Sequence, residues 1–425
     1  MATLGMIILR FLWNEKGRVN PDSIRYMRTS KVFPIIDNTT TPLGYPLSLK
    51  FFTIFGVDEF WASKIVGVLA FLVIVFFAWQ KKFYWREMLI IGSLFSFVSI
   101  FSYTMSEALI IPVVFFFLYI SRQIIIRKYS FFNGFVWQFL LLVMLVNVRY
   151  SALFFILSTL AFGIIHLKKK YAKTFVCSAL AALLFVVLYK IFFIDYFNEK
   201  YVSQFLETGL HSTGQLILEF FEGMTTTFNP LVHIANPGGG FVNVGIYGLG
   251  ALTLVLMAFL FIKSGLSETE FFMVFTGIFG ILCSFFIQYF YSVNALDYRL
   301  LAPFSLPLWM VFFKKLWQIF GLKTYLVGFL SLFTGLIFTF LSKGNYLENR
   351  KNVRLFLQNE NLKNGKILFY LPPENGEDQV KIAELISTVN PNVEVTFKPK
   401  DTLKKNALTA HKVLTKFKIS QNPYQ

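Results

Sequence analysis

The hydrophobic pattern of this chain consists of long uncharged runs separated by short charged connections. An α-helix rises about 1.5 Å per residue, so about 20 apolar residues cross the roughly 30 Å of hydrocarbon in a bilayer. Six runs predict membrane-spanning helices on this basis, over 88–106, 129–148, 150–167, 241–262, 271–296 and 324–342. Four shorter runs are flanked by charges that reach the interface, and they predict spans over 65–80, 108–121, 174–189 and 300–313.

Residues 1–13 supply only part of an eleventh span, because the apolar run is short and contains Arg10. This run is not typical of a signal peptide, since it has neither a basic n-region nor a small-residue cleavage site. Two interpretations stay open: the segment lies partly in the interface, or translation begins upstream. The predicted fold class is an α-helical polytopic membrane protein with about 10–11 transmembrane helices.

Basic residues are concentrated in alternate connections, which predicts the orientation of the chain. Arg149 and Arg299 are the only basic residues in the short connections of one set. Cytoplasmic loops are enriched in Lys and Arg, so the other set is predicted to be cytoplasmic. The outer loops 14–63 and 190–240 then lie outside the cytoplasmic (inner) membrane. The predicted cytoplasmic residues are Lys81, Lys82, Arg86, Arg122, Arg127, Lys128, Lys168, Lys169, Lys170, Lys173, Lys263, Lys314, Lys315 and Lys323.

The region 343–425 is polar, with 14 basic and 8 acidic residues, and follows the predicted transmembrane domain 1–342. Lys366–Leu371 and Val393–Phe397 have the composition of strands, and Gln379–Val389 between them has helical spacing. We therefore predict a small α/β domain here. The predicted orientation places this domain, and the C-terminus, outside the cytoplasm.

Composition supports the bilayer as the main solvent. The 425 residues include 54 Phe, 56% are apolar and only 15% are charged, against about 25% charged in soluble domains, which excludes an ordinary water-soluble enzyme. The net charge of +17 is accounted for by the cytoplasmic connections and the C-terminal region, so no nucleic-acid partner is predicted. Cys177 and Cys283 lie in apolar runs and are predicted to be packing residues.

Polar residues beside apolar helices are the candidates for chemistry, because each is costly there unless it is paired or hydrated. Pro21 ends the incoming chain, so Asp22 is predicted to cap the helix that follows. The spacing of four also places Asp22 and Tyr26 on one helix face, where the carboxylate could accept a proton from a bound hydroxyl. The candidates at the predicted outer surface are Asp22, Arg25, Tyr26, Glu107, Arg149, Tyr150, Asp297, Tyr298 and Arg299.

Arg149 and Arg299 are predicted to bind an anion, since guanidinium groups form bidentate hydrogen bonds with phosphate. A lipid phosphate at the headgroup level is the expected ligand. Asp297 is equally a candidate ion-pair partner of Arg299, and Glu107 could simply mark a tight turn between helices. His211 and His233 lack the paired spacing of a zinc site, so both are predicted to be solvated loop histidines.

The order of short motifs resembles that of the polytopic glycosyltransferases of the C-type fold, especially protein O-mannosyltransferases and bacterial transferases that use polyprenyl-phosphate sugars. The resemblance covers about residues 14–342. It implies an inverting membrane transferase whose essential carboxylate lies in the first outer loop, where Asp22 matches. Many members have two consecutive acids there, whereas this chain has Asp22-Ser23. The motifs are Asp22-Ser-x-x-Tyr26, Pro42-x-Gly44-Tyr45-Pro46, Ser106-Glu107, Arg149-Tyr150 and Tyr298-Arg299-x-x-x-Pro303.

The resemblance implies a polyprenyl-phosphate sugar as donor and a lipid, glycan or protein as acceptor. Asp22 is then the predicted base, and Arg149 and Arg299 stabilise the departing phosphate. Tyr26 and Tyr45 are predicted to line the site. Glu107 is expected to orient a sugar hydroxyl or Arg149, and Tyr150 and Asp297 are predicted to bind substrate. No metal or other cofactor is expected, because Asp22, Glu107 and Asp297 would hold a divalent cation only if they converged.

Three other functions stay open at the level of sequence. A flippase or transporter is one, although transporters tend to have matched halves and broken helices at the bilayer midplane. A polysaccharide polymerase or ligase of the outer leaflet would share the lipid-linked substrate and would produce a glycan chain. A structural assembly protein would not depend on Asp22.

Overall fold

The computed structural model describes residues 1–13, 19–36, 41–197, 212–235, 239–291, 293–342, 344–372 and 376–416. The described chain is mostly helical, with a small parallel sheet near the C-terminus. Residues 202–211, including His211, were predicted to belong to the outer loop 190–240 and lie outside the described residues. The rest of that loop contains the helix Thr213–Thr227.

The predicted runs before residue 198 are mostly helical in the structure, and further short helices precede them. In chain order they are α1 Ala2–Leu12, α2 Pro21–Val32, α3 Gly44–Thr53, α4 Glu59–Lys81, α5 Trp85–Ser93, α6 Phe95–Ser102, α7 Glu107–Ile125, α8 Phe131–Val148, α9 Leu153–Ile165 and α10 Ala172–Tyr189. A 3-10 turn, Tyr150–Ala152, precedes α9, and a π-helical turn, Lys190–Ile194, extends α10 to Phe197.

The later helices and strands complete the bundle and the C-terminal region. They are α11 Thr213–Thr227, α12 Phe241–Ser264, α13 Glu268–Phe290, α14 Tyr298–Phe320, α15 Tyr325–Leu341, α16 Tyr346–Asn359, β1 Ile367–Tyr370, α17 Gly376–Ser387, β2 Val393–Thr396, β3 Ala407–Thr409 and α18 Ala410–Leu414, with 3-10 turns at Gly321–Thr324 and Pro399–Leu403.

Several of these helices have the length and apolar composition of membrane spans. Among the described residues, seven meet both requirements, or eight if the bent pair α5 and α6 forms one span. The structure thus supports several spans, and the count of 10–11 stays a prediction. Helices α1 and α9 are shorter than a span, and α14, the 3-10 turn after it and α15 form one continuous apolar stretch, Tyr298–Leu341, which is one of the seven. The chain is thus a helical protein with the features of a multi-pass membrane protein.

The predicted straight span over 88–106 is wrong, because the chain bends by 78° between α5 and α6. Leu94 has extended backbone angles at this break. The N–H of Phe95 donates to the hydroxyl of Ser331, at 2.7 Å. Broken helices within apolar surroundings need such partners, since unsatisfied backbone groups are costly there.

Helix α4 begins at Glu59, six residues before the predicted span, so the outer loop predicted to extend to residue 63 is shorter. The Asp58 carboxylate accepts from the N–H of Phe60 at 3.0 Å, which caps the helix. Lys64, which the prediction left outside the span, is buried within the bundle.

The connections predicted to share one side of the membrane meet at one end of the bundle. Glu270 forms ion pairs with Lys314 at 2.6 Å and with Lys315 at 3.2 Å. Lys169 pairs with Glu268 at 2.5 Å in the same region. These charges hold together the starts and ends of helices whose opposite ends lie near Glu107 and Arg149. Three of the residues that were predicted to be cytoplasmic, Lys169, Lys314 and Lys315, thus lie at one end of the bundle.

The C-terminal region contains a three-stranded parallel sheet with strand order β2-β1-β3. Ile367 lies opposite Val393, and Leu368 lies opposite both Glu394 and Ala407. The predicted strands and the helix between them are confirmed, whereas β3 was not predicted. Inward residues of the sheet, including Ile367 and Phe369, form an apolar core with α16 and α17.

This small sheet region packs against the helices that precede the first long span. The Arg350 guanidinium makes two hydrogen bonds to the Asp58 carboxylate, at 2.6 and 2.8 Å. Helix α2 adds hydrogen bonds from Lys31 to the carbonyl of Val389, at 3.0 Å, and from Arg28 to that of Val393, at 3.4 Å. Helix α2 therefore links the C-terminal region to the bundle.

Candidate functional site

The connection between α6 and α7, residues 103–107, is the centre of the candidate site. Lys64 of α4 stabilises this connection by hydrogen bonds, and its side chain is only 2% exposed. The ammonium of Lys64 donates to the carbonyl of Ser102 and to the hydroxyl of Thr104, both at 2.8 Å. Ser63 hydrogen-bonds the same Thr104 hydroxyl at 2.9 Å. The 103–107 connection thus has a defined conformation against which other side chains pack.

Helix α4 approaches this region closely because Gly67 has no side chain. A Cβ atom at Gly67 would lie 2.0 Å from the carbonyl oxygen of Phe101. A larger residue would force α4 away from α6 and would move Lys64 with it. Glycine is therefore required here for close packing of the two helices.

Glu107 and Arg149 form an ion pair at the start of α7 and the end of α8. The Arg149 Nη1 lies 2.8 Å from the Glu107 Oε1, and the two side chains are 15% and 2% exposed. The Arg149 Nε also donates to the Ser151 hydroxyl at 3.0 Å. The prediction that Glu107 orients Arg149 is consistent with this contact, and the two charges are fixed in relation to each other.

Tyr26 of α2 contacts the same connection from the other side. Its hydroxyl lies 3.1 Å from that of Ser106, and its ring packs edge-on against Tyr45, with centroids 5.1 Å apart. Burial, followed by the negative charge of Glu107, raises the pKa of the Tyr26 hydroxyl well above its usual range. Tyr26 therefore stays protonated at neutral pH and serves as a hydrogen-bond group, not as a base.

The predicted cap at Asp22 is wrong, since the helix is capped two residues earlier, by Asn20. Asn20 accepts from the N–H of Ser23 at 2.9 Å, and the Ser23 hydroxyl accepts from the N–H of Asn20 at 3.1 Å. Pro21 then occupies the first helical position, which its fixed φ favours. This reciprocal cap gives Ser23 a structural role at the start of α2.

Asp22 lies in the first turn of α2 with its side chain 44% exposed, in an ion pair of 3.2 Å with Arg25. It is one turn before the buried Tyr26, and its charge acts electrostatically on that hydroxyl. The predicted sharing of one helix face thus agrees with the structure. Asp22 is accessible to solvent at the edge of the cluster, whereas Tyr26 lies inside it.

The Gly44-Tyr45 motif begins α3, which packs against the end of α8. A Cβ atom at Gly44 would lie 2.6 Å from the carbonyl oxygen of Asn147, two residues before Arg149. This close approach places Tyr45, which is fully buried, against Tyr26. The Gly44-Tyr45 motif therefore does more than form a turn, because it packs the start of α3 against the segment that carries Arg149.

Arg299 and Asp297 occupy the start of α14. The Arg299 Nε lies 2.8 Å from the Asp297 Oδ2, which confirms the predicted ion pair. The other carboxylate oxygen of Asp297 caps α14 by accepting from the N–H groups of Arg299 and Leu300. The Arg299 guanidinium lies 5.4 Å from the ring centroid of Tyr103 and acts electrostatically on Glu107. Arg299 therefore belongs to the same cluster as Arg149.

Tyr150 has a different environment from the other predicted residues. It forms the 3-10 turn that follows Arg149 and packs partly buried against the apolar core. Its side chain interacts with the hydroxyl of Tyr189 in α10. The structure thus places Tyr150 beside the Arg149 segment, with contacts to the core.

The prediction that His233 is a solvated loop histidine is wrong. Its side chain is 3% exposed and lies between Phe95 and Tyr298, with ring centroids 4.4 and 4.0 Å away. Its Nε2 lies 3.2 Å from the Ser99 hydroxyl. The sequence around His233 has no regular spacing that would predict burial, because the segment is irregular and its partners lie far along the chain.

Two buried cations near the candidate site, Arg10 and Lys64, were not predicted from the sequence to belong to it. Arg10 of α1 is fully buried, hydrogen-bonds Ser99 and lies 4.5 Å from the ring centroid of Phe95. Lys64 supports the 103–107 connection, as described above. Both had a sequence signal, since each is a charge within or beside an apolar run, where charges are costly unless they have partners.

The cluster as a whole combines two guanidinium groups, a buried carboxylate and a buried tyrosine hydroxyl. Tyr26, Tyr45, Glu107, Arg149 and Arg299 contact one another directly or through residues 103–107. Asp22 lies at its edge. Among the described residues, no group of three or more His, Cys, Asp or Glu side chains could hold a metal ion. The cysteines Cys177 and Cys283 are not in disulfide bonds.

Comparison of the chain with protein-family models, with curated proteins and with solved structures finds no match.

Proposed function

We propose that this chain is a membrane glycosyltransferase that moves a sugar from a polyprenyl-phosphate-linked donor to an acceptor hydroxyl, with inversion at the sugar carbon. The observation that carries the proposal is the convergence of Tyr26, Glu107, Arg149 and Arg299 at one end of an apolar bundle. Charged groups are rare beside apolar helices unless function retains them. The ordered motifs that resemble C-type-fold transferases supply the reaction class.

The reaction needs a base and a site for a phosphate. In the proposed mechanism, the Asp22 carboxylate takes the proton of the acceptor hydroxyl, and the hydroxyl oxygen attacks the anomeric carbon from the face opposite the phosphate. The bond from that carbon to the phosphate oxygen breaks, and polyprenyl phosphate leaves as an anion. Arg149 and Arg299 stabilise its negative charge.

Two carboxylates, Glu107 and Asp297, hold the two arginines in place for phosphate stabilisation. Glu107 holds Arg149, and Asp297 holds Arg299, so each guanidinium is oriented before the phosphate arrives. Preorganised charges stabilise a developing anion without a reorganisation cost at the moment of reaction. Arginine carries five N–H donors, so each guanidinium has more donors than the contacts with its carboxylate use.

The membrane topology that we propose for the chain rests on the distribution of basic residues among the connections. Residues 1–342 form the transferase domain with 10–11 spans in the cytoplasmic membrane, and 343–425 form an extracytoplasmic domain. The packing supports one part of this arrangement, since the C-terminal region contacts α2, and α2 carries Tyr26. The site and the C-terminal domain are therefore on the same side of the bundle, which the proposal assigns to the outside.

The experiment that tests the proposal compares Asp22→Asn with Arg25→Gln. Mass spectrometry of lipids and glycans from cells with and without the gene first identifies the missing hexose or pentose. The purified variants are then assayed for its transfer from the corresponding polyprenyl-phosphate donor. Loss of the base is expected to reduce turnover by about 10²–10⁴-fold. Arg25→Gln removes only the ion-pair partner of Asp22 and is expected to keep most of the activity.

Full transfer by a folded Asp22→Asn variant would remove Asp22 from the mechanism. Vesicle experiments address the transporter alternative. If the chain moves a lipid-linked sugar across the bilayer without forming a glycosidic bond, the transferase proposal is wrong. A polymerised glycan as the product would assign the chain to the polymerases.

A further inference from the structure

A polar cavity of about 460 Å³ lies where the C-terminal region meets α2 and the start of α4. Its size is within the range of about 300–1,000 Å³ that is typical of small-molecule sites. None of its described lining residues belongs to the cluster around Glu107 and Arg149. The lining residues are Lys31, Asp58, Arg350, Arg354, Lys363, Asn364, Thr388, Val389, Asn390, Pro391 and Asn392.

The lining of this cavity is strongly basic. Four of its described residues are cations, Lys31, Arg350, Arg354 and Lys363, and one is a carboxylate, Asp58. Arg350 already occupies both oxygens of Asp58, at 2.6 and 2.8 Å, and Arg354 lies 3.8 Å from the same carboxylate. The positive charge of the cavity therefore exceeds what its own carboxylate can balance.

Hydrogen bonds fix the walls of the cavity. The Asn390 carboxamide is fully buried and donates to the carbonyls of Leu362 and Gly365, both at 2.7 Å. Its oxygen accepts from the N–H of Asn392 at 2.9 Å. The Arg350 guanidinium donates to the carbonyl of Thr388 at 3.1 Å. The cavity is thus preformed by ordered groups and is not a gap between loose loops.

Two of the cations are in unfavourable surroundings. Burial, together with the charges of Arg350 and Arg354, lowers the pKa of Lys31, which the nearby carboxylates of Glu59 and Asp58 only partly oppose. The Nε of Arg350 is buried and has no hydrogen-bond partner among the described residues. An anion in the cavity would offset both costs, because it would supply negative charge and acceptor oxygens.

We propose that this cavity binds a phosphate group of a small ligand. A phosphate ester carries more negative charge than a carboxylate and presents three acceptor oxygens. One such group could accept hydrogen bonds from Lys31, Arg354 and Lys363 together. The proposal stands apart from the transferase function, since it uses different residues and concerns binding alone.

The test measures binding of inorganic pyrophosphate to the purified full chain in an uncharged detergent, by isothermal titration calorimetry. The double variant Arg354→Gln, Lys363→Gln removes two cavity cations and leaves the Arg350–Asp58 contact in place. The control double variant Lys351→Gln, Lys366→Gln makes the same change in charge at residues that do not line the cavity. A third variant, Arg299→Gln, alters the other candidate phosphate site.

The expected result is saturable binding that weakens by about tenfold or more in the cavity variant. The control variant Lys351→Gln, Lys366→Gln should bind within about twofold of the unaltered chain. Equal binding by the cavity variant, or no saturable binding of pyrophosphate, would overturn the proposal. Binding lost only in Arg299→Gln would also overturn it, because the phosphate would then occupy the site assigned to the transferase.

A second arm identifies the source of the phosphate. Glycerol 3-phosphate and a short-chain phosphatidic acid below its micellar concentration are compared on the same variants. Tighter binding of the lipid would assign the cavity to a lipid headgroup, and the opposite order would assign it to a soluble phosphate ester. Both assignments require the cavity variant to lose affinity.

Discussion

Arg149 and Glu107 form an ion pair of 2.8 Å between the end of one apolar helix and the start of another. Both side chains are largely removed from water, so each charge depends on the other. Breaking a buried pair by removing one partner leaves an uncompensated charge, whereas replacing both partners with apolar residues can be nearly neutral. This pair therefore links stability to the proposed site.

Glu107→Gln is expected to lower the free energy of unfolding by about 3–5 kcal/mol, because Arg149 loses its buried counter-charge. The double variant Glu107→Leu, Arg149→Met should recover much of that loss and should still lack transfer activity. Chemical denaturation in detergent measures the stability. The matched control is Lys169→Gln in the exposed pair with Glu268, at 2.5 Å, where about 0–1 kcal/mol is expected. Equal losses in the two single variants would contradict the buried-pair argument.

Gly44→Ala is expected to destabilise the chain and reduce transfer, because the added Cβ would lie 2.6 Å from the carbonyl oxygen of Asn147. Helix α3 would have to shift, and Tyr45 would shift with it. The control is Gly245→Ala in α12, where nothing lies within 4 Å of the added atom. That change should stabilise the helix by about 0.5–1 kcal/mol. In thermal unfolding, Gly44→Ala is expected to lower the melting temperature, and Gly245→Ala is expected to raise it.

Much of the fold could be predicted because bilayer-length apolar runs have few alternatives. The ends of α7, α8, α12 and α15 lie within a few residues of the predicted spans. The bend at Leu94 was not predicted, although the Gly92-Ser93 pair that precedes it is compatible with a kink, because the same pair also occurs in straight helices. It depends on Ser331, which lies more than 200 residues away and supplies the missing acceptor for Phe95.

The candidate site was predictable only in part, for a related reason. Charges such as Glu107, Arg149 and Arg299 were visible because they interrupt an apolar pattern. The ion pair of Arg299 with Asp297 could be expected because the two residues are close in sequence. The ion pair of Glu107 with Arg149 was harder to predict, because it forms only through the packing of two helices. His233 gave no signal, because an irregular segment has no periodicity that separates buried from exposed positions.

His233→Ala is expected to reduce both stability and transfer. The ring packs between Phe95 and Tyr298, and its removal leaves a cavity next to the start of α14. Loss of a buried ring costs about 3–5 kcal/mol when the site does not collapse. His411→Ala, an exposed histidine in the C-terminal region, is the control and should change stability by less than about 0.5 kcal/mol. Thermal unfolding with a parallel transfer assay distinguishes the two, and similar behaviour of both variants would contradict the buried placement.

Contact of the C-terminal region with the bundle is expected to depend on pH through Asp58. Burial alone would raise the pKa of this carboxyl, but the hydrogen bonds and charge of Arg350 outweigh burial, and the pKa is lowered. A carboxyl with a lowered pKa binds fewer protons in the docked state, so its contribution is complete above the unfolded value of about 3.9. The contribution is lost as the pH falls below that value and through the lower pKa of the docked state.

Hydrogen exchange of α2 and α16 between neutral pH and about pH 3 tests this dependence. The unaltered chain should lose protection on acidification. Asp58→Asn should already be less protected at neutral pH, because Arg350 keeps no carboxylate in a bidentate contact, and its protection should change less with pH. Glu394→Gln, which removes only an exposed partner of Lys366, should behave like the unaltered chain. If Asp58→Asn shows the same loss of protection on acidification as the unaltered chain, another carboxyl controls the contact between the two regions.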